Sequence, residues 1–192
     1  MENLKNINQE IQPFNEVFYI ESLFAKTHTI LSELQFVNEI WDNANLDIDE
    51  NHEMILNIFQ NMIINVAGIS RFFWPSRNEG FYNNRAEKLR EVYNIGNLSP
   101  LKNRQMRNLI EHFDENLDDF LNKYGAKNII PSYVGNKPLR NENTIFFRAY
   151  FSDKTIFKVL NKEYKLIPII DEINRIHQIL LIQREKGGRF II

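Results

Sequence analysis

The chain contains no cysteine in its 192 residues, which excludes disulfides and thiolate chemistry. Glycine is scarce, and its seven residues are dispersed. Neither a phosphate-binding P-loop nor a dinucleotide fingerprint is present, so nucleoside triphosphate chemistry is not expected. A Gly-x-Ser-x-Gly elbow is also missing, which argues against serine-based catalysis. Charge of one sign is lacking too, with a net charge of −2 and a pI near 6.1. Any contact with a polyanion must therefore be local. No run is long and apolar enough to suggest a membrane span. The longest uncharged stretch, Met54 to Ser70, carries Asn57, Gln60, Asn61 and Asn65, which would be costly in lipid, so it reads as a central buried helix. The polar start, Met1 to Asn6, has neither the basic opening nor the apolar run of a signal peptide, which gives the expectation of a cytoplasmic address with no membrane partner. His28, His52, His112 and His177 are scattered without metal-ligand spacing, so no metal and no cofactor are expected.

What is present is helical period. The length and the 43% hydrophobic content suffice for one sizeable core. Pro13 stands at a first helical position, and Val17, Ile20, Phe24, Leu31, Leu34, Val37 and Trp41 predict a helix over 13–42. His28 falls on that stripe and reads as a satisfied core histidine. Asp47-Ile48-Asp49-Glu50 matches a capping box, and Ile55, Phe59, Met62, Val66, Ile69 and Phe73 continue a second helix until Trp74-Pro75. His52, in its first turn, reads as surface. A shorter third helix carries Ala86, Leu89 and Tyr93, with Gly96 as its left-handed cap. Ser99-Pro100 opens a fourth that ends near Tyr124-Gly125. Pro131, Gly135 and Pro138 then punctuate a stretch with no helical period. Thr144–Phe151 and Thr155–Leu160, around Ser152-Asp153-Lys154, predict a β-hairpin. Pro168 opens a last helix with Ile169, Ile173, Ile176 and Leu180, stopping at Gly187-Gly188; His177 lies beside its stripe and reads as packing. Short links between four helices imply a bundle. The expected organisation is a helical bundle over 1–125 and an extension over 126–192, packed on it as one domain.

The fourth helix holds the most informative stretch, Arg107-Asn108-Leu109-Ile110-Glu111-His112. Met106, Leu109, Ile110, Phe113, Leu117, Phe120, Leu121 and Tyr124 define its apolar stripe. At about 100° per residue, Arg107 and His112 then fall on opposite shoulders of the far face, with Asn108, Glu111 and Glu115 between them. Basic groups at Arg71 and Arg77, at Arg85, Lys88 and Arg90, and at Lys102, Arg104 and Arg107 each read as solvated helix faces when taken alone.

The Arg-Asn-x-x-x-His run resembles the signature of the HEPN superfamily, the helical-bundle domains of many prokaryotic toxin and defence ribonucleases. Arg107, Asn108 and His112 match its pattern, and the continuation Phe113-Asp114-Glu115 is similar to that of one subgroup. The resemblance implies a mainly α, HEPN-like bundle, here with a C-terminal β-hairpin and final helix. It further implies metal-independent endoribonuclease activity in a toxin or defence setting. Arg107, Asn108 and His112 would be catalytic, with Arg104, Glu111 and Arg71 contacting the RNA. Partners would be a second copy in a homodimer and a cognate antitoxin protein. The rival expectation is a non-catalytic helical interaction or nucleotide-binding module.

Overall fold

The structure, a computed structural model, describes residues 10–42, 48–77, 79–125, 127–138 and 144–191. It is mainly helical with one small sheet. A 3-10 turn at Pro13–Asn15 leads into α1 (Glu16–Asp42), followed by α2 (Ile48–Phe73) and α3 (Gly80–Val92). After a 3-10 turn at Pro100–Lys102 come α4 (Arg104–Glu111) and α5 (Phe113–Tyr124). The strands are β1 (Asn128–Gly135), β2 (Thr144–Phe151), β3 (Ile156–Val159) and β4 (Lys162–Lys165), and α6 (Leu166–Glu185) follows. Asp47, the proposed head of the capping box, lies outside the described residues. No described helix is long and apolar enough to cross a membrane.

The chain divides into two compact units, neither contiguous in sequence. One comprises residues up to Leu31, Asn65–Arg104 and the chain from Asp171; the other comprises Ser32–Ile64 and Gln105–Ile170.

The first unit buries Ile20, Leu23 and Ile30 of α1, Val66, Ile69 and Phe73 of α2, Leu89 of α3, and Ile173, Ile176 and Leu180 of α6. The stripe on α1 runs through Ile20, Leu23, Thr27 and Ile30. It is rotated by about one position from the expected one, so His28 is exposed rather than a core residue. Tyr93 is fully buried, donates to Gln183 Oε1 at 2.8 Å and meets Phe73 edge-on. Asn94, not Gly96, takes the left-handed position after α3 (φ 47°), where Ile95 N–H reaches back to Arg90 O at 2.8 Å. Asparagine tolerates this conformation through local hydrogen bonding of its short side chain. At the end of α6, Gly187 (φ 84°) and Gly188 (φ 73°) close the helix, with Gly188 N–H donating to Gln183 O at 2.9 Å. A Cβ on Gly188 would sit 2.9 Å from Val17 Cγ2, so both conformation and space require glycine there.

The second unit is built on a four-stranded sheet in the order β1-β2-β3-β4. β2 and β3 form the expected hairpin, paired Phe151↔Ile156 across a turn at Ser152–Thr155. β4 adds a second antiparallel partner, and β1 pairs parallel with β2 from Asn128↔Thr144 to Gly135↔Phe151. Neither β1 nor β4 was expected. Arg148 and Tyr150, two apart on β2 and so on one face, both meet α2. Tyr150 stacks on Phe59 with ring centroids 4.2 Å apart. Arg148 donates to Asn57 Oδ1 at 2.7 Å and Gln60 Oε1 at 3.2 Å, and pairs with Glu53.

Candidate functional site

The fourth helix of the sequence reading is three pieces in the structure. Ser99 Oγ does accept from Leu101 N at 3.3 Å, as a capping serine should, but the turn it opens ends at Lys102. Asn103 is extended (φ −63°, ψ 105°), and α4 starts only at Arg104. A second interruption falls at His112, whose φ of −128° and ψ of 43° end α4 and begin α5. Backbone bonding bridges the break, because His112 N donates to Asn108 O and Asn116 N donates to His112 O, each at 3.0 Å. The Asn116 side-chain amide also donates to His112 O. Asp114 and Glu115 in the first turn of α5 suit the positive end of the new helix.

This break changes which side chains face outward. Arg107 is buried, with 8% exposure, and sits next to the core residues Met106 and Leu109. The expectation of an exposed Arg107 on a shoulder of the helix is therefore corrected: α4 turns the arginine inward, where it is engaged by the fold. Leu121 is exposed instead of lying on the apolar stripe. Asn108, Glu111 and His112 are exposed, as expected. The His112 side chain is 54% accessible, and its Nδ1 lies 3.4 Å from Glu115 Oε2. Both side chains are exposed, so this is a surface contact that is worth little in water. Arg107, Asn108, Glu111 and His112 thus occupy one short stretch of the second unit, whereas Arg104 and Arg71 belong to the first and are exposed.

Two other polar groupings were not assembled from sequence. In the second unit His52, half-buried rather than on the surface, places Nε2 3.3 Å from Ser132 Oγ and 3.5 Å from Glu53 Oε1. One nitrogen faces both neighbours, and His52 is engaged further by the fold. In the first unit Lys26, Arg71, Arg77, Tyr82 and Arg85 line one concavity. The spacing of Arg71, Arg77 and Arg85 hinted at it; Lys26, two helices away in sequence, gave no signal. The second unit also contains a cavity of about 520 Å³ walled by Tyr133, Phe146 and Phe151, with Lys137, Lys158 and Glu163 at its edge. Burial pushes the Lys158 ammonium below the usual lysine range, and Glu163 partly opposes this. Among the described residues no group of three or more histidines and carboxylates is placed to hold a metal ion.

Fold and site together define a mainly helical protein with an exposed histidine at a helix break. No family model matches the chain, and neither a curated protein nor a solved structure matches it.

Proposed function

We propose that this protein is a HEPN-like, metal-independent endoribonuclease of toxin or defence type, acting as a homodimer. The observation that carries the proposal is His112, exposed at the break between α4 and α5 with Nδ1 3.4 Å from Glu115 Oε2. It stands five residues after a buried arginine in an Arg-Asn-x-x-x-His pattern.

In the proposed reaction the RNA supplies its own nucleophile. The 2′-hydroxyl oxygen bonds to the adjacent phosphorus while the bond from phosphorus to the 5′-oxygen breaks. The products are a 2′,3′-cyclic phosphate and a 5′-hydroxyl. One proton leaves the 2′-oxygen and one arrives at the 5′-oxygen. His112 moves one of them, and its counterpart in a second copy moves the other, a role worth about 10²- to 10⁴-fold. Arg107 is turned inward, so it contributes positive charge from beneath the face rather than by a fork on the phosphorane oxygens, and Asn108 and Glu111 flank the scissile group on the exposed face. A dimeric cleft answers the weakness of a single exposed helix, where water would screen each electrostatic interaction. An antitoxin would silence the enzyme by covering this face.

Cleavage of single-stranded RNA in excess chelator tests the proposal. His112→Ala should lose about 10²- to 10⁴-fold of the rate with its circular dichroism unchanged. Arg107→Ala should lose both activity and thermal stability, because a buried guanidinium is removed. Undiminished cleavage by His112→Ala, or none by the parent as a dimer, would refute it. A parent that binds RNA without cutting it favours the binding module, for which the inward Arg107 would be purely structural.

A further inference from the structure

The concavity of the first unit is about 430 Å³ in volume, in the range of small-ligand sites. Lys26 of α1, Arg71 of α2, Arg77 of the turn that follows, and Arg85 of α3 contribute cations to its walls, and no lining residue is acidic. Several cations elsewhere in the protein stand in ion pairs. Lys88 pairs with Glu91, Lys137 with Glu163, Arg175 with Glu172, and Arg184 with Glu21. Lys26, Arg77 and Arg85, by contrast, belong to no ion pair among the described residues.

Their placement is ordered rather than incidental. Arg77 Nη1 donates to Tyr82 Oη at 3.2 Å, and the Arg77 and Arg85 guanidinium carbons lie 5.6 and 5.7 Å from the Tyr82 ring centroid. Arg85 uses Nη2 on the carbonyl of Arg71 at 3.1 Å, which ties it to the end of α2. Its Nε is buried and has no hydrogen-bond partner among the described residues. The Lys26 ammonium lies over Gly68, where an added Cβ would come within 3.1 Å of Nζ, so the missing side chain makes the room that the cation fills. Cations gathered around one ring repel one another, and a buried guanidinium N–H left without an acceptor is costly. A multiply charged anion relieves both.

We propose that this pocket binds a phosphate-bearing ligand of nucleotide size, with the planar forks of Arg77 and Arg85 on phosphate oxygens and Lys26 as an additional point charge. Because two guanidinium groups already occupy the neighbourhood of the Tyr82 ring, recognition is of the phosphates rather than of a base. The source of the phosphate is a free nucleotide or the 5′-phosphate end of an RNA. None of Arg107, Asn108 and His112 lines the pocket, so its occupancy is measurable apart from RNA cleavage.

Isothermal titration of the full chain at low salt, with inorganic pyrophosphate as probe, tests this. Saturable binding that weakens as salt rises is expected, and Arg77→Gln and Lys26→Gln should each weaken it by about tenfold. Arg77→Lys, which keeps the charge and loses the fork, should fall between. Circular dichroism confirms that each variant folds. ATP tighter than a 5′-phosphorylated oligoribonucleotide identifies a free nucleotide. The reverse order, with no binding of the 5′-hydroxyl form, identifies an RNA end, and equal binding assigns the phosphate group alone. Absent pyrophosphate binding, or affinity unchanged in folded Arg77→Gln and Lys26→Gln, overturns the proposal.

Discussion

His177 is buried on α6 and bonded to Thr27. The Thr27 hydroxyl lies 3.1 Å from Phe24 O and 2.9 Å from His177 Nδ1, so its one hydrogen serves either acceptor and the imidazole tautomer follows that choice. The ring stacks on Phe24 at 5.0 Å and on His28 at 6.2 Å, with Arg184 over the Phe24 face and its charge answered by Glu21 at 2.7 Å. Burial first, then His28 and Arg184, hold its pKa below the ordinary histidine value of 6.5. In the folded protein the imidazole therefore stays neutral while the unfolded chain takes up a proton. The associated stability is complete above about pH 6.5 and drains away as pH falls through the lowered value. Urea midpoints should drop between neutral pH and about pH 5, and less steeply in His177→Gln; identical slopes would remove His177 as the cause. Sequence placed His177 beside its stripe correctly but put His28 in the core. The error lay in phase: with Val17 partly exposed and Thr27 buried, the apolar stripe was drawn one position away from the face that packs.

At the scale of elements, legibility followed burial pattern. The stripe Ile55, Phe59, Met62, Val66, Ile69 and Phe73 on α2 is buried at every position, because a helix packed along its length must repeat at three and four residues. β1 was illegible for the opposite reason. Pro131 reads as a breaker, yet β1 pairs only with β2, and an edge strand tolerates a residue without an N–H. The break at His112 was also invisible, since the apolar period runs on across it while the backbone does not. Aromatic rings join the helices to the sheet: Phe59 of α2 stacks on Tyr150 and lies 6.1 Å from Phe157, and Trp41 of α1 meets Tyr150 edge-on. Phe59→Ala should destabilise the protein by about 3–5 kcal/mol in chemical denaturation. A loss under about 1 kcal/mol would mean that the site collapses around the gap.

For the whole molecule, the important fact is that each unit is assembled from separated stretches. The first closes only with Ile173, Ile176 and Leu180 of α6. A fragment ending at Gly125 therefore lacks the strip that covers α1 and the end of α2. It should show weakened helical circular dichroism and no cooperative melt, and a cooperative transition in the fragment would contradict this. None of this interleaving could be read from periodicity, which reports which face of a helix is covered but not by what. The motif residues were legible for the same local reason, whereas the burial of Arg107 depended on tertiary packing.

The interleaving also sets a clock on synthesis. At about 5–20 residues per second, the ribosome takes on the order of ten seconds to pass from Leu31 to Asp171. Throughout that interval the nascent amino-terminal half presents Ile20, Leu23 and Ile30 without their final cover, which makes it a client for holding chaperones.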